Sequence, residues 1–195
     1  MAWTRVLETL DRRWLFLGMG LLVLGLGLGG VGPYGTVLHL VNNALTKGVM
    51  FLVVGNVVLA TGSASSDAAR GILRRLPVSG VVLLLGLFAV TGSPPFGLFM
   101  SEFTMLNAAI AQGHPWIALT VVALLAVIFV GMATVILDVV YRPAETPTSV
   151  VRESWLLVAG PVALLLMVLM LGLYVPPPLQ RMLVDAARGL GVAAP

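Results

Sequence analysis

The feature that most constrains this chain is a series of long apolar stretches that carry almost no charge. A bilayer's hydrocarbon core, about 30 Å thick, is crossed by about 20 apolar residues in a helix. Hydrophobic residues make up 59 % of the chain and charged residues only 10 %, against roughly 25 % charged residues in soluble domains. We therefore predict a single all-α integral membrane domain over residues 1–195, with spans at about 14–31, 35–60, 78–111, 116–140 and 155–174.

The third stretch is too long for one straight crossing. At about 1.5 Å per residue, residues 78–111 would extend roughly 50 Å. The middle of this stretch reads Thr91-Gly-Ser-Pro94-Pro95, and prolines remove backbone donors and break helices. We interpret it as one helix broken between Thr91 and Pro95, which gives five transmembrane helices, and keep a tight hairpin as the alternative.

The basic residues favour five crossings with an inner N-terminus and an outer C-terminus. With that topology eight arginines lie inside and two outside, whereas the hairpin would give six against four. Cationic residues accumulate on the inner side of membrane proteins. The net charge of +3 then reflects the arginines that set the membrane topology. We expect the lipid bilayer as a partner and no nucleic acid.

Residues 178–190, beyond the last span, predict a short interfacial helix. Leu179, Met182, Leu183 and Leu190 recur at helical spacing, and charged residues occupy the opposite face. An amphipathic helix of this kind lies along the membrane surface.

Gly25 to Gly30 match the dinucleotide fingerprint G-x-G-x-x-G, but only literally. The fingerprint requires a preceding strand and an acid about 20 residues further on, and neither is present. We expect Gly25 and Gly29 to permit close helix packing instead, as a pair of small residues four apart.

Lys47 and two residues on its helix are the first candidates for function. Ionisable side chains inside a membrane are costly and mark ion or proton pathways. His39, Asn43 and Lys47 lie four residues apart, and each step of four turns only about 40° around a helix. An imidazole, an amide and a desolvated amine on one side of a helix are suited to relaying protons, whereas the plainer interpretation of His39 and Asn43 is hydrogen bonding between helices.

Glu102 is the second candidate, because it follows the Pro94-Pro95 break within the third span. Irregular backbone at membrane depth lines polar cavities, where a carboxylate is a plausible proton acceptor; the alternative is a fixed ion pair. The sequence shows no catalytic triad, no paired catalytic carboxylates, no cysteine and no cluster of metal ligands. We expect no catalytic residue, no cofactor and no metal.

Two segments resemble a known family. Residues 39–52, His-Leu-Val-Asn-Asn-Ala-Leu-Thr-Lys-Gly-Val-Met-Phe-Leu, resemble the H-x-x-N-H-x-x-x-K-x-x-x-F helix of proton-translocating, antiporter-like membrane subunits. These subunits occur in respiratory complex I, hydrogenase-4 type complexes and Mrp antiporters. Residues 71–77 and 92–103 look like the family's next loop and broken helix, and the Ser-Glu-Phe ending at residue 103 leans toward the F-type subunit of hydrogenase-4.

The resemblance implies a proton relay through this chain. Lys47 matches the family's central lysine, Glu102 the Lys or Glu of the broken helix, and His39 a neighbouring relay histidine. Asn43 departs, since the family often has His there. Family members have about fourteen spans, of which this chain matches the last five, so we expect a partner that supplies the missing N-terminal spans.

The leading hypothesis is a proton-translocating subunit of a redox-driven pump of the hydrogenase-4 or complex I type. It would be a non-catalytic part of a membrane-bound oxidoreductase in a bacterial or archaeal cytoplasmic membrane, with other membrane-arm subunits and peripheral redox subunits as partners. The alternatives are a Na⁺(K⁺)/H⁺ antiporter subunit of Mrp type and a fragment that does not transport.

Overall fold

The computed structural model describes residues 20–63, 69–143 and 153–190, and within these ranges all regular structure is helical. This confirms the all-α prediction. Helix α1 covers residues 20–27. The following helices are α2 (Gly32–Thr61), α3 (Ile72–Arg75), α4 (Pro77–Val90), α5 (Gly97–Ala111), α6 (Pro115–Tyr141), α7 (Trp155–Leu173) and α8 (Pro177–Gly189).

Most predicted spans correspond to helices whose ends differ by only a few residues. The first prediction was wrong at its C-terminal end, because the helix ends at residue 27. Gly32 and Pro33 begin α2 instead, since a proline is tolerated in the first turn of a helix. The short helix α3 was not predicted. The start of the first span at Trp14 lies outside the described residues, as do Arg5, Arg12, Arg13 and Arg152.

Three of these helices, α2, α6 and α7, are long and apolar enough to cross a membrane by themselves. Helices α4 and α5 are apolar but shorter. Their contacts with α2 show how they are arranged. These contacts run in antiparallel order, and they join Gly35 to Met105, His39 to Ser101, Asn42 to Gly97 and Met50 to Gly86. The two helices therefore follow α2 along its length as one broken rod, whereas the arms of a hairpin would share one level.

Helix α2 is the centre of the bundle. It contacts α4, α5, α7 and α8. Helix α7 lies antiparallel to it, because Gly160 meets Leu52 near one end of the contact and Gly48 meets Leu164 further along. Helix α6 packs on α4 and α5 from the other side. The interior face of α2 is thus close to the broken rod.

Glycines allow the helices to approach closely. In lipid there is no hydrophobic force between helices, so small residues that bring backbones together determine the packing. A Cβ on Gly25 would overlap Thr36 and Met105, and one on Gly172 would overlap the backbone of Pro95 and Phe96. The expectation for Gly25 is therefore confirmed. For Gly29 it was wrong, since this residue has a positive φ in the turn before α2 and nothing near its Cα.

Ionic contacts are concentrated where α2 and α6 end and α4 and α7 begin, which we call the basic end. The Asp138 carboxylate forms ion pairs with Arg70 at 3.4 Å and with Arg142 at 2.8 Å. The Glu153 carboxylate accepts from the backbone N–H groups of Val78 (2.7 Å) and Ser79 (2.9 Å). These are the first free amides of α4, because Pro77 has none. Glu153 therefore caps α4 and ties it to the start of α7.

Helix α8 lies at the opposite end and contacts α2. Leu183 and Ala187 are buried in the bundle. Met182 and Leu190 belong to the predicted apolar face but remain exposed. An amphipathic helix that packs by one edge and exposes other apolar residues is suited to the membrane surface.

Removal of the Glu153 cap should destabilise the bundle. A carboxylate that binds free amides at a helix N-terminus stabilises by about 1–2 kcal/mol. We expect Glu153→Ala to lower the free energy of unfolding by this amount, measured by thermal unfolding in detergent. Asp185→Ala is the control, because within the described ranges Asp185 forms only an exposed pair with Arg188; this variant should change stability by less than about 0.5 kcal/mol. Equal effects of the two variants would contradict the capping role.

Candidate functional site

One stripe of α2 faces the interior, and its two halves differ in chemistry. The half nearest the basic end is apolar, with Val49, Val53 and Val57 buried in the main hydrophobic cluster. The other half carries the buried polar residues of the helix, which are Thr36, His39, Asn42 and Thr46, beside the buried apolar Leu38. Spacings that alternate between three and four residues keep a set on one face of a helix. The polar half faces α5 directly after the break.

The break between α4 and α5 satisfies its backbone groups with local turns and one side chain from α2. The backbone N–H of Thr91 donates to the Leu87 carbonyl, and that of Ser93 donates to the Phe88 carbonyl. The Thr91 hydroxyl also donates to the Leu87 carbonyl. The Asn42 amide donates to the Gly97 carbonyl at 2.9 Å. Asn42 thus holds the first residue of α5 against α2.

Glu102 lies over this break. Its side chain is buried, and its carboxylate rests against the Cα of Gly92. Gly92 has φ +65°, a conformation that favours glycine, so the same residue supplies both the turn and the space for the carboxylate. Among the described residues Glu102 has no ion-pair partner. The predicted alternative, a fixed structural ion pair, finds no partner in this part of the chain.

His39 is linked to the residue next to Glu102. Its Nδ1 lies 3.0 Å from Ser101 Oγ, and the Ser101 hydroxyl donates to the Leu98 carbonyl at 2.8 Å. A serine hydroxyl carries one hydrogen, so we assign the proton of the first bond to His39 Nδ1. This leaves Nε2 as the ring nitrogen that is open to proton exchange.

Two polar atoms of the stripe are buried without a hydrogen-bond partner among the described residues. They are Asn42 Oδ1 and Thr46 Oγ1, one helical turn apart. Buried polar atoms are almost always satisfied, and an exception requires a functional or structural explanation. Here they lie beside the break, so the interior of the bundle at this depth has unused hydrogen-bonding capacity.

Asn43 and Lys47 lie to one side of the buried stripe. Both are half-buried, whereas His39 is fully buried. Because each step of four residues turns about 40°, the predicted set begins in the interior at His39 and turns outward toward Lys47. The structure places His39 against Ser101, the residue next to Glu102 on α5, while Lys47 lies half-buried beside the buried stripe.

Asn42, Thr46 and Ser101 were not predicted as members of the site. A constant spacing of four from His39 drifts off the buried face. The alternating spacing to positions 42, 46 and 49 would have identified the inner stripe. No group of three or more metal-ligating side chains occurs in the described ranges.

The site is thus a buried acid at a helix break, opposite a polar stripe on the neighbouring helix. The sequence that forms it matches a known family. Residues 18–129, more than half of the chain, match the family described as NADH:quinone oxidoreductase/Mrp antiporter, transmembrane. The chain therefore belongs to this family of integral membrane proteins, which includes complex I and Mrp types.

The comparisons with individual proteins agree with this assignment. An antiporter subunit described as mnhD2, in Staphylococcus aureus strains JH9 and Newman, is 29 % identical over 101 residues, which are 51 % of this chain and 20 % of the relative. A chain of the Mrp complex from Dietzia sp. DQ12-45-1b has the same fold, with TM-score 0.71, 17 % identity and coverage of 89 % of this chain and 40 % of that one. The chain spans about a fifth of the curated relatives' length.

The contact between Gly92 and Glu102 yields a stability prediction. Gly92→Ala should lower the free energy of unfolding by about 1–2 kcal/mol because of the left-handed backbone. Overlap with the carboxylate should lower it by about 1–3 kcal/mol more. Gly62→Ala is the matched control, because Gly62 has φ +69° and open space around it. Thermal unfolding in detergent measures both.

A second pair of variants tests whether overlap with the Glu102 carboxylate causes the loss of stability. Combined with Glu102→Ala, Gly92→Ala should cost less than it does alone, whereas Gly62→Ala should cost the same with and without that change. Equal costs for the two glycines would contradict the contact.

Proposed function

We propose that this chain is the proton-conducting part of an antiporter-like membrane subunit that works within a multi-subunit complex. The observation that carries the proposal is the buried Glu102 carboxylate, which has no charged partner in the described part of the chain and lies beside the His39–Ser101 link. Intramembrane acids with such surroundings belong to proton relays.

In this proposal each residue has a distinct role. Lys47 takes up and releases a proton at mid-depth of α2, and His39 exchanges protons through Nε2. Glu102 accepts a proton at the break, where Gly92 leaves room for its carboxylate. Ser101 fixes the His39 ring, and Asn42 with Thr46 offers polar atoms between the levels of His39 and Lys47.

We infer exchange of Na⁺ or K⁺ for protons as the activity of the complex. The support comes from the relatives, one described as an antiporter subunit and one as a chain of an Mrp complex. A redox-driven pump of hydrogenase-4 or complex I type is the second candidate, favoured by the Ser101-Glu102-Phe103 ending of the family motif. Only this candidate requires peripheral redox subunits. In both cases the chain works beside other membrane subunits of the complex.

We further propose five crossings, with the broken rod of α4 and α5 as the third. The basic end then faces the cytoplasm, and α8 lies on the outer surface. The antiparallel order of contacts along α2 supports one broken crossing, and Arg70, Arg74, Arg75 and Arg142 at the basic end support the orientation.

Neutral replacements of the relay residues should abolish transport. We expect Lys47→Met and Glu102→Gln each to lower proton transport by about tenfold or more, because neither side chain can exchange a proton. The measurement uses everted membrane vesicles that contain the whole complex and a dye that reports the pH gradient. Asp185→Asn, an exposed acid on α8, is the control and should transport normally.

The same vesicles distinguish the candidate functions. A pH gradient that follows addition of Na⁺ or K⁺ supports antiport, and one that follows only a redox substrate supports the second candidate. Normal transport in both neutral variants would contradict the relay and favour a fragment that does not itself transport.

Single cysteines can test the topology, since the chain has no cysteine. With five crossings, Gln112→Cys should react with a membrane-impermeant maleimide in intact cells, and Ser154→Cys only after permeabilisation. Both side chains are exposed. If residues 78–111 formed a hairpin, Gln112→Cys would be protected in intact cells.

A further inference from the structure

Thr46 differs from every other threonine that the structure describes. The others donate their hydroxyl hydrogen to a backbone carbonyl three or four residues earlier, and they are Thr36, Thr61, Thr91, Thr104, Thr120 and Thr134. Such a bond is a common way for a threonine to satisfy its hydroxyl within a helix. Thr46 is 0 % exposed, and its hydroxyl has no partner in the described ranges. One buried donor in the middle of α2 is therefore unused.

The side chain of Asn42, one turn earlier, has an unused acceptor. Its orientation is fixed, because the Gly97 carbonyl can only accept, so the amide nitrogen must face it at 2.9 Å. The Oδ1 atom then has no donor among the residues that the structure describes. A buried donor and a buried acceptor one turn apart are costly unless a third group satisfies both.

Thr46 lies at the level of the break. Asn42 contacts Gly97, the first residue of α5. One turn beyond Thr46 on the other side, Met50 contacts Gly86 on α4. Since Thr46 is halfway between these two contacts, its neighbours across the helix interface are the residues that begin the break.

The break adds two free acceptors at this level. In a continuous helix the carbonyls of Val90 and Thr91 would accept from the N–H groups of residues 94 and 95. Both of these residues are prolines and have no N–H group to donate. Carbonyls that lose their helical donor at membrane depth need protein or water as a partner.

The chemistry of these atoms defines what can satisfy them. Asn42 and Thr46 are both 0 % exposed, so neither a lipid chain nor a neighbouring subunit reaches them, and the ligand must be small. A cation cannot accept the Thr46 hydrogen, and an anion cannot donate to Asn42 Oδ1. Water does both.

We propose that one ordered water molecule is bound between α2 and the break. It accepts from the Thr46 hydroxyl, and it donates to Asn42 Oδ1 and to one of the carbonyls that the prolines leave free. Buried waters make about three bonds of this kind. The inference goes beyond the proposed function, because it concerns a ligand that holds α2 to the break and stands whether or not the chain moves protons.

Cryo-electron microscopy of the intact complex, at a resolution that shows ordered water, tests the site directly. We expect a water peak about 2.7–3.2 Å from both Thr46 Oγ1 and Asn42 Oδ1. Thr46→Ser keeps the hydroxyl and should keep the peak, whereas Thr46→Val should lose it. The absence of a peak in the unmodified chain, a peak that Thr46→Val retains, or a peak that appears only with Na⁺ or K⁺ would overturn the proposal.

Thermal unfolding of the full chain in detergent distinguishes a bound water from a dry contact. Valine has nearly the shape of threonine but no hydroxyl. With the water bound, Thr46→Val removes one of its partners and leaves Asn42 Oδ1 poorly satisfied, so we expect the unfolding midpoint to fall by about 3–6 °C. In a dry contact the same change replaces an unpartnered hydroxyl by a methyl group. An unchanged or higher midpoint would therefore overturn the proposal.

Thr36→Val is the matched control. Thr36 is buried on the same stripe of α2, and its hydroxyl donates to the Gly32 carbonyl of its own helix. That bond is local, so this variant should change the midpoint by less than about 2 °C. Neither experiment measures transport, so the water site can fail while the relay stands, and the reverse.

Discussion

The constraint on which the rest of the structure depends is the break between α4 and α5. Inside a bilayer no water is available for free backbone groups, so irregular backbone persists only where protein or a polar cavity surrounds it. The chain meets this requirement with turns at Thr91 and Ser93, the Asn42 amide on Gly97 and the close approach of Gly172. Helices α2 and α7 are thereby fixed against the irregular segment between α4 and α5.

This constraint explains why the buried polar residues are confined to half of α2. Where α2 faces the regular helix α4, valines fill the contact, and where it faces α5 after the break four of the buried residues are polar. Polar side chains are tolerated beside backbone that already needs partners. The Glu102 carboxylate lies in the same layer, so the cost of burying an acid is met where polar neighbours already exist.

The sequence predicted the helices and their break because these depend on local properties. Apolar length, the Pro94-Pro95 pair and the positions of arginines each act within a few residues of where they occur. The faces of the helices were harder to predict, since they depend on which neighbour packs where. Asn42 and Asn43 are adjacent amides in the sequence, yet only Asn42 is fully buried and bonds Gly97. Gly25 and Gly29 are equally alike in sequence, but only Gly25 lies at a helix contact.

These observations are connected by the predicted set His39, Asn43 and Lys47, which begins in the interior of the bundle and turns toward its surface. A strict spacing of four drifts around the helix, so a set that begins in the interior must leave it after about two steps. His39 belongs to the interior through its bond to Ser101, whereas Lys47 belongs to a face that the described chain leaves open. A relay that used both residues would therefore pass from the inside of this bundle to its surface at mid-depth of α2.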